Sequence, residues 1–295
     1  MDENQHNKDL NYYRNHIDQI DLKILELLKD RMKIVQNVAQ LKKSNNEKFF
    51  IRSGREADMI KNLVKISEDQ FPKSTIISIW RKIITTANMS EQKIKIAIHN
   101  PKNISDYTHL VKNYYNDEVP ILNFDSANSV ANELENNNCQ IGIFALPSNN
   151  EDNDKKEDTK ENWWISLANN RSNIKIFAKI PFIEHHDNNK NIDKINLVAV
   201  AIKEIEQSCD DNTLLSIETN KEVSKLLVLN ALKECGFEAK ILKSVQVTQF
   251  EGIRFHLVEI NNFINENSSN FKKLSQSKIK PFVKILGYYA KPIII

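Results

Sequence analysis

NYYRNHIDQIDLKILELLKDRMKIVQNVAQLKKS, Asn11 to Ser44, is the stretch on which the fold turns. Its apolar residues Ile17, Ile20, Ile24, Leu27, Leu28, Val35, Val38 and Leu41 recur at three- and four-residue steps, the period of one helical face. No Gly or Pro interrupts the run, so the spacing predicts one helix of about nine turns. Past the polar break at Ser44-Asn45-Asn46 comes Phe49-Phe50-Ile51, and Gly54 opens a second helix, Arg55 to Ser67, carried by Met59, Ile60, Leu63 and Val64. Phe71-Pro72-Lys73-Ser74 reads as a turn with helix-start chemistry. Ile76, Ile77, Ile79, Trp80, Ile83, Ile84 and Ala87 then recur at helical spacing, making residues 11–92 all-helical.

The pattern changes at Lys93, where KIKIAIHNP alternates polar and apolar residues as a strand does and stops at Pro101. A helix from Tyr107 to Tyr115, a strand from Pro120 to Phe124, a helix from Ser126 to Asn136 and the apolar strand CQIGIFALP follow, a βαβαβ outline. Asn149 to Asn162, NNEDNDKKEDTKEN, has no apolar residue and reads as a flexible loop. WWISL and the strand IKIFAKIPF come next. A third unit starts near Ile205: TLLSIET as a strand, Lys221 to Cys235 as a helix, FEAKILKSVQVT and IRFHLVEI as strands, a helix near Phe271 and a last strand, FVKILGYYA. That βαββαβ order is ferredoxin-like. The expected fold class is therefore multidomain: an all-α three-helix domain over 1–92, an α/β domain over 93–205 and an α+β domain over 206–295.

Composition narrows the function. The chain has 295 residues, and 41 Lys+Arg against 39 Asp+Glu leave a net charge of +2, too balanced for a broad nucleic-acid footprint. Only 5 glycines occur, none placed as a phosphate-cradling loop requires, which excludes a dinucleotide fold or P-loop. Cys139, Cys209 and Cys235 are widely spaced and unpaired in sequence, as in a reducing compartment. The N-terminus lacks the pattern of an export signal and no run has the ~18 apolar residues of a membrane span. The expectation is a cytoplasmic protein without nucleic-acid or membrane partners.

Charge on the apolar faces localises the chemistry. At about 100° per residue, Arg31, Val35, Val38 and Lys42 fall within ~40° of one another. These two cations either snorkel from the edge of a buried face or point into a pocket. Arg14 lies about a quarter-turn or more off that stripe, so it serves the same site only from another subunit. Trp80, Ile84, Ala87 and Glu91 share a face in the same way, ending in a carboxylate that is either frayed and exposed or part of the pocket. With Arg55-Glu56 at the second helix start, up to four cations (Arg14, Arg31, Lys42 and Arg55) would line an apolar bundle suited to a small dianion. No nucleophile with a partnered base accompanies them, so the chemistry is electrostatic rather than covalent.

The spacing Arg14-x16-Arg31-x10-Lys42, followed by Arg55-Glu56, resembles the active-site pattern of the all-helical (type II) chorismate mutases over about 80 residues. The resemblance implies an intertwined homodimer whose long first helix is shared, with Arg14 supplied in trans. It implies chorismate as substrate and no cofactor or metal. Arg14 and Arg31 would hold the two carboxylates, and Lys42 would meet the ether oxygen as charge develops there. Arg55 would support the carboxylate site, and Glu56 would accept the substrate hydroxyl. Glu91 stands where many members have Gln. Either a protonated Glu91 or Gln92 next to it would then be the second donor to the ether oxygen. Ala87 stands where a Ser can occur, and Arg52 where some members have Asp, contributing through its backbone.

Residues 93–205 resemble the first lobe of prephenate dehydratases, through YTHLVKNYYNDEVPILNFDSANSVANELENNNCQIGIFALPSNN. Where that family has a Thr-Arg-x-x-Phe signature, this chain reads DKINLVAVAI, which implies a degenerate, non-catalytic domain. Residues 206–295 resemble the ACT regulatory module. Its Gly-Ala-Leu and Glu-Ser-Arg-Pro motifs are replaced by Val223-Ser224-Lys225 and Lys243-Ser244-Val245-Gln246, so an aromatic amino-acid effector is one possible ligand and a scaffolding role the other. The expected function is a monofunctional chorismate mutase of aromatic amino acid biosynthesis. Isochorismate pyruvate lyase and a non-catalytic aromatic-pathway sensor are the alternatives, and a mutase-dehydratase is the least favoured.

Overall fold

The computed structural model describes residues 3–44, 49, 51–147, 162–170, 173–184, 195–204 and 206–295. The expected break at 45–46, most of the polar loop 149–162, and Ile205 lie outside the described residues. Two compact units emerge: residues 1–50 with 87–92, and residues 51–86 with 93–295.

The first unit is dominated by α1 (Glu3–Ser44), a helix about 63 Å long at 1.5 Å per residue. Its packing partner within the unit is the last turn of α3 (Lys73–Glu91). Ala39 on α1 and Ala87 on α3 are buried, and Ser90 Oγ donates to Met32 Sδ at 3.5 Å. Most of the apolar stripe of α1, from Ile17 through Leu27 to Leu41, is exposed in the single chain.

The second unit holds α2 (Ser53–Ile66), starting two residues before the position expected from its periodicity, and most of α3. Beyond them run β1 (Ile96–His99), α4 (Ser105–Tyr114), β2 (Ile121–Phe124), α5 (Ala127–Glu135), β3 (Ile141–Ala145), α6 (Trp163–Asn169), β4 (Ile174–Ile180), β5 (Ile183–Glu184) and β6 (Leu197–Ile202). The ferredoxin-like run follows as β7 (Asp211–Asn220), α7 (Lys225–Glu234), β8 (Ala239–Gln246), β9 (Ile253–Ile260), α8 (Ser269–Ser275) and β10 (Phe282–Ala290), closed by β11 (Ile293–Ile294), which pairs with β5. Four elements have no counterpart in the sequence reading: the two-residue strands β5 and β11, and two longer ones. WWISLAN forms α6, and LVAVAI forms β6, antiparallel to both β3 and β4.

One nine-stranded sheet, in the order β2-β1-β3-β6-β4-β10-β7-β9-β8, contains strands from both sides of residue 205. β10 joins them, pairing antiparallel with β7 and meeting β4 at Gly287 opposite Ile176. Gly287 has φ +146, and a Cβ there would stand 2.3 Å from the Ile176 carbonyl oxygen. Only a residue without a side chain admits this approach. The strand alternation divides the core. Leu214, Phe255, Leu257 and Leu286 join the cluster under α5 and α6. Their neighbours Leu215, Val258 and Ile285 face the cluster of α7 and α8. Among the described residues no helix is long and apolar enough to cross a membrane, and no cluster of His, Cys, Asp and Glu side chains could hold a metal ion.

Candidate active site

The first unit carries Arg14, Arg31, Lys42, Ala87, Glu91 and Gln92. Arg14 is exposed, whereas Arg31 is half-buried three turns before Lys42. Lys42 occupies the last turn of α1, where a cation also meets the negative end of the helix dipole. Its Nζ donates to Glu91 Oε2 at 2.8 Å, with the two side chains only 15% and 6% exposed. Glu91 is therefore not a frayed surface residue: the stripe Ile84, Ala87, Glu91 is buried throughout. The pair joins residues 49 positions apart, and the carboxylate and ammonium neutralise each other in the free protein. Next along, the Gln92 N–H continues the helical turn onto the Asn88 carbonyl at 3.1 Å. The Gln92 Nε2 is buried without a hydrogen-bond partner. A buried amide donor with no acceptor is uncommon, and it adjoins the Lys42–Glu91 pair in sequence.

The second unit carries Arg52, Arg55 and Glu56 at the start of α2. Arg52 caps the helix without a side-chain cap bond, at φ −101 and ψ 72, and its carbonyl accepts the Glu56 N–H at 2.9 Å. Arg52 and Arg55 are exposed and Glu56 is half-buried. Glu56 Oε2 accepts from Arg81 Nη1 at 3.3 Å. Arg81, 6% exposed, has its guanidinium over the Tyr114 ring at 4.5 Å and the Phe182 ring at 4.7 Å. Sequence reasoning did not single out Arg81. The available signal was its spacing, four after Ile77 and three before Ile84, which sets a cation on a buried stripe.

In the ferredoxin-like part, Ser224 and Ser244 are engaged in structure. Ser224 caps α7, accepting the Leu227 N–H at 3.3 Å. Ser244 Oγ lies 2.7 Å from His256 Nδ1, and Thr219 Oγ1 lies 3.1 Å from Nε2. His256 is fully buried; burial first, then the positive charges of Arg254 and Lys225, lowers its pKa to about 4. In β6, Leu197 to Ala201 are all apolar and buried.

Residues 13–92 match the family model of type II chorismate mutases. A bifunctional chorismate mutase/prephenate dehydratase of Aquifex aeolicus is 29% identical over 106 residues, 35% of this chain and 28% of that protein. A protein of the same description from Pseudomonas aeruginosa is 26% identical over 107 residues, 35% of this chain and 29% of its own length. The chain thus spans less than a third of the length of these relatives. A prephenate dehydratase from Streptococcus mutans, known from its X-ray structure, aligns over 68% of this chain and all of its own, with a TM-score of 0.47 at 18% identity.

Proposed function

We propose that this chain is a chorismate mutase acting in aromatic amino acid biosynthesis. The observation that carries the reading is the buried Lys42–Glu91 pair, set inside the segment matched by the type II chorismate mutase family. In the rearrangement to prephenate the ether C–O bond breaks as a C–C bond forms, and no group on the protein bonds to the substrate. The protein's contribution is to hold the enolpyruvyl group over the ring and to place fixed cations where charge develops. Arg31, with Arg14 of a second copy, binds the carboxylates. Lys42 donates to the ether oxygen. Arg55 supports the carboxylate site, Glu56 accepts the substrate hydroxyl, and Arg52 contributes its backbone. Ala87 lines the pocket, and Glu91 and Gln92 set the donor character beside Lys42.

A second copy of the chain fits the exposed stripe of α1, where Ile17 is 57% and Leu27 69% exposed. Contiguous apolar surface of that extent on a helix is what a partner helix covers. The test of both claims is chorismate conversion by purified protein, with products separated by chromatography. Prephenate is the expected product, and 4-hydroxybenzoate-type or pyruvate-releasing chemistry would refute the assignment. Arg14→Ala and Lys42→Ala should each be inactive, and mixing them at 1:1 should restore about a quarter of the wild-type sites, because half the dimers are mixed and each has one intact site.

The apolar β6 supports a monofunctional enzyme. The relatives' bifunctional description supplies the competing reading, and phenylpyruvate formed from added prephenate would establish it.

A further inference from the structure

Helix α2 carries two of the proposed substrate contacts, Arg55 and Glu56, and its N-cap residue Arg52 is a third, yet its first two turns are fixed by groups far away in sequence. Lys203, just after β6, donates through Nζ to the Ile51 carbonyl at 3.1 Å and lies 3.5 Å from Ser53 Oγ. Its ammonium also sits 5.2 Å from the Phe177 ring centroid. Gly54 lies so close to the following segment that a Cβ would be 2.9 Å from the Gln207 carbonyl oxygen. One turn on, the Asp58 carboxylate accepts the Cys209 N–H at 3.1 Å and its thiol at 3.3 Å. Lys61 Nζ reaches the Asp210 carbonyl at 3.5 Å. Arg81 also donates to the Glu56 carboxylate, while its guanidinium lies over the rings of Tyr114 and Phe182.

None of these contacts is needed to form a helix. Arg81 is permanently charged and almost wholly buried, with its Nε unpartnered, so its position is set by the two rings and its counter-charge by Glu56. The bond from Arg81 fixes the position of the Glu56 carboxylate. Building on the mutase reading, we propose that Arg81, through Glu56, and Lys203, through the Ile51 carbonyl, are positioning residues. They hold the substrate-binding first turn of α2 on the α/β part of the chain, so the tail is a working part of the mutase site.

The experiment uses the full chain and two readouts. In steady-state kinetics with chorismate, Arg81→Met should raise KM at least 10-fold with kcat changed less than about three-fold, the pattern of lost binding rather than lost transition-state contact. Arg81→Lys should recover part of it. In a Glu56→Gln background Arg81→Met should have no further effect, because its influence runs through that carboxylate. Additive losses, or a fall in kcat alone, would overturn the proposal. The second readout is amide hydrogen exchange. Arg81→Met and Lys203→Met should each speed exchange of the Glu56 and Ala57 amides at least 10-fold while Ile143 in β3 is unchanged; unchanged exchange at Glu56 in both variants overturns the proposal. If the wild-type protein does not convert chorismate, the mutase reading falls, and the exchange result still decides whether these residues hold α2.

Discussion

Glu91→Gln isolates the charge in the Lys42–Glu91 pair while keeping its shape. Opposite charges 2.8 Å apart attract by about 6 kcal/mol at an effective dielectric of about 20, before desolvation is subtracted. In the proposed mechanism that attraction works against catalysis, because the ammonium meant for the ether oxygen is already neutralised. The substitution leaves a hydrogen-bond acceptor for Lys42, removes the opposing charge and adds an amide donor. Recovering about a quarter of the gross attraction in the transition state is worth about 1.4 kcal/mol, a tenfold rise in rate. The expected result is therefore a roughly 10-fold increase in kcat/KM at pH 8, followed by loss of chorismate absorbance and confirmed by product chromatography. Stability should fall by about 1–2 kcal/mol, since a buried ion pair becomes a single charge-assisted hydrogen bond. A loss of 10-fold or more in kcat/KM would refute the reasoning and show that the carboxylate orients Lys42 or donates a proton itself.

Lys42→Met leaves Glu91, 7% exposed, without its cation; urea unfolding should show a loss of about 3 kcal/mol and turnover should drop at least 100-fold, whereas retention of either would deny Lys42 its place. His256, lowered to about 4 in the folded chain against about 6.5 unfolded, is held neutral by the fold. Its contribution is complete above pH 6.5 and is lost as pH falls toward 4, roughly 3 kcal/mol in all. His256→Gln should flatten the urea stability profile across that window, and parallel profiles would assign the titration elsewhere. Gly287→Ala places a Cβ 2.3 Å from backbone that cannot rotate away; the expected cost is roughly 3 kcal/mol or more, and a change in urea midpoint equivalent to less than about 1 kcal/mol would refute the close approach.

The helices α1 to α3 were legible because each repeats its apolar period over several turns. Angular arithmetic alone put Lys42 and Glu91 at the ends of apolar stripes. The elements that escaped gave no period to read: β5 and β11 have 2 residues each, α6 has 7, and β6 is apolar at every position, so alternation never appears. Arg81 escaped because a cation on an apolar stripe reads equally as one that snorkels to solvent, until Tyr114 and Phe182 are known to close over it.

By itself the sequence determined the all-helical start, the β-α alternation of the remainder and the spacing of Arg14, Arg31 and Lys42, since period, breakers and spacing are local properties of a chain. Tertiary structure alone decided that strands on both sides of residue 205 share one sheet through β10. The same holds for the pairing of Lys42 with Glu91 rather than with solvent, and for Arg81 and Lys203 gripping the first turn of α2. Those outcomes join residues from 25 to 152 positions apart. They are settled by which buried charge finds a partner once the backbone has closed around it, a condition that no local pattern encodes.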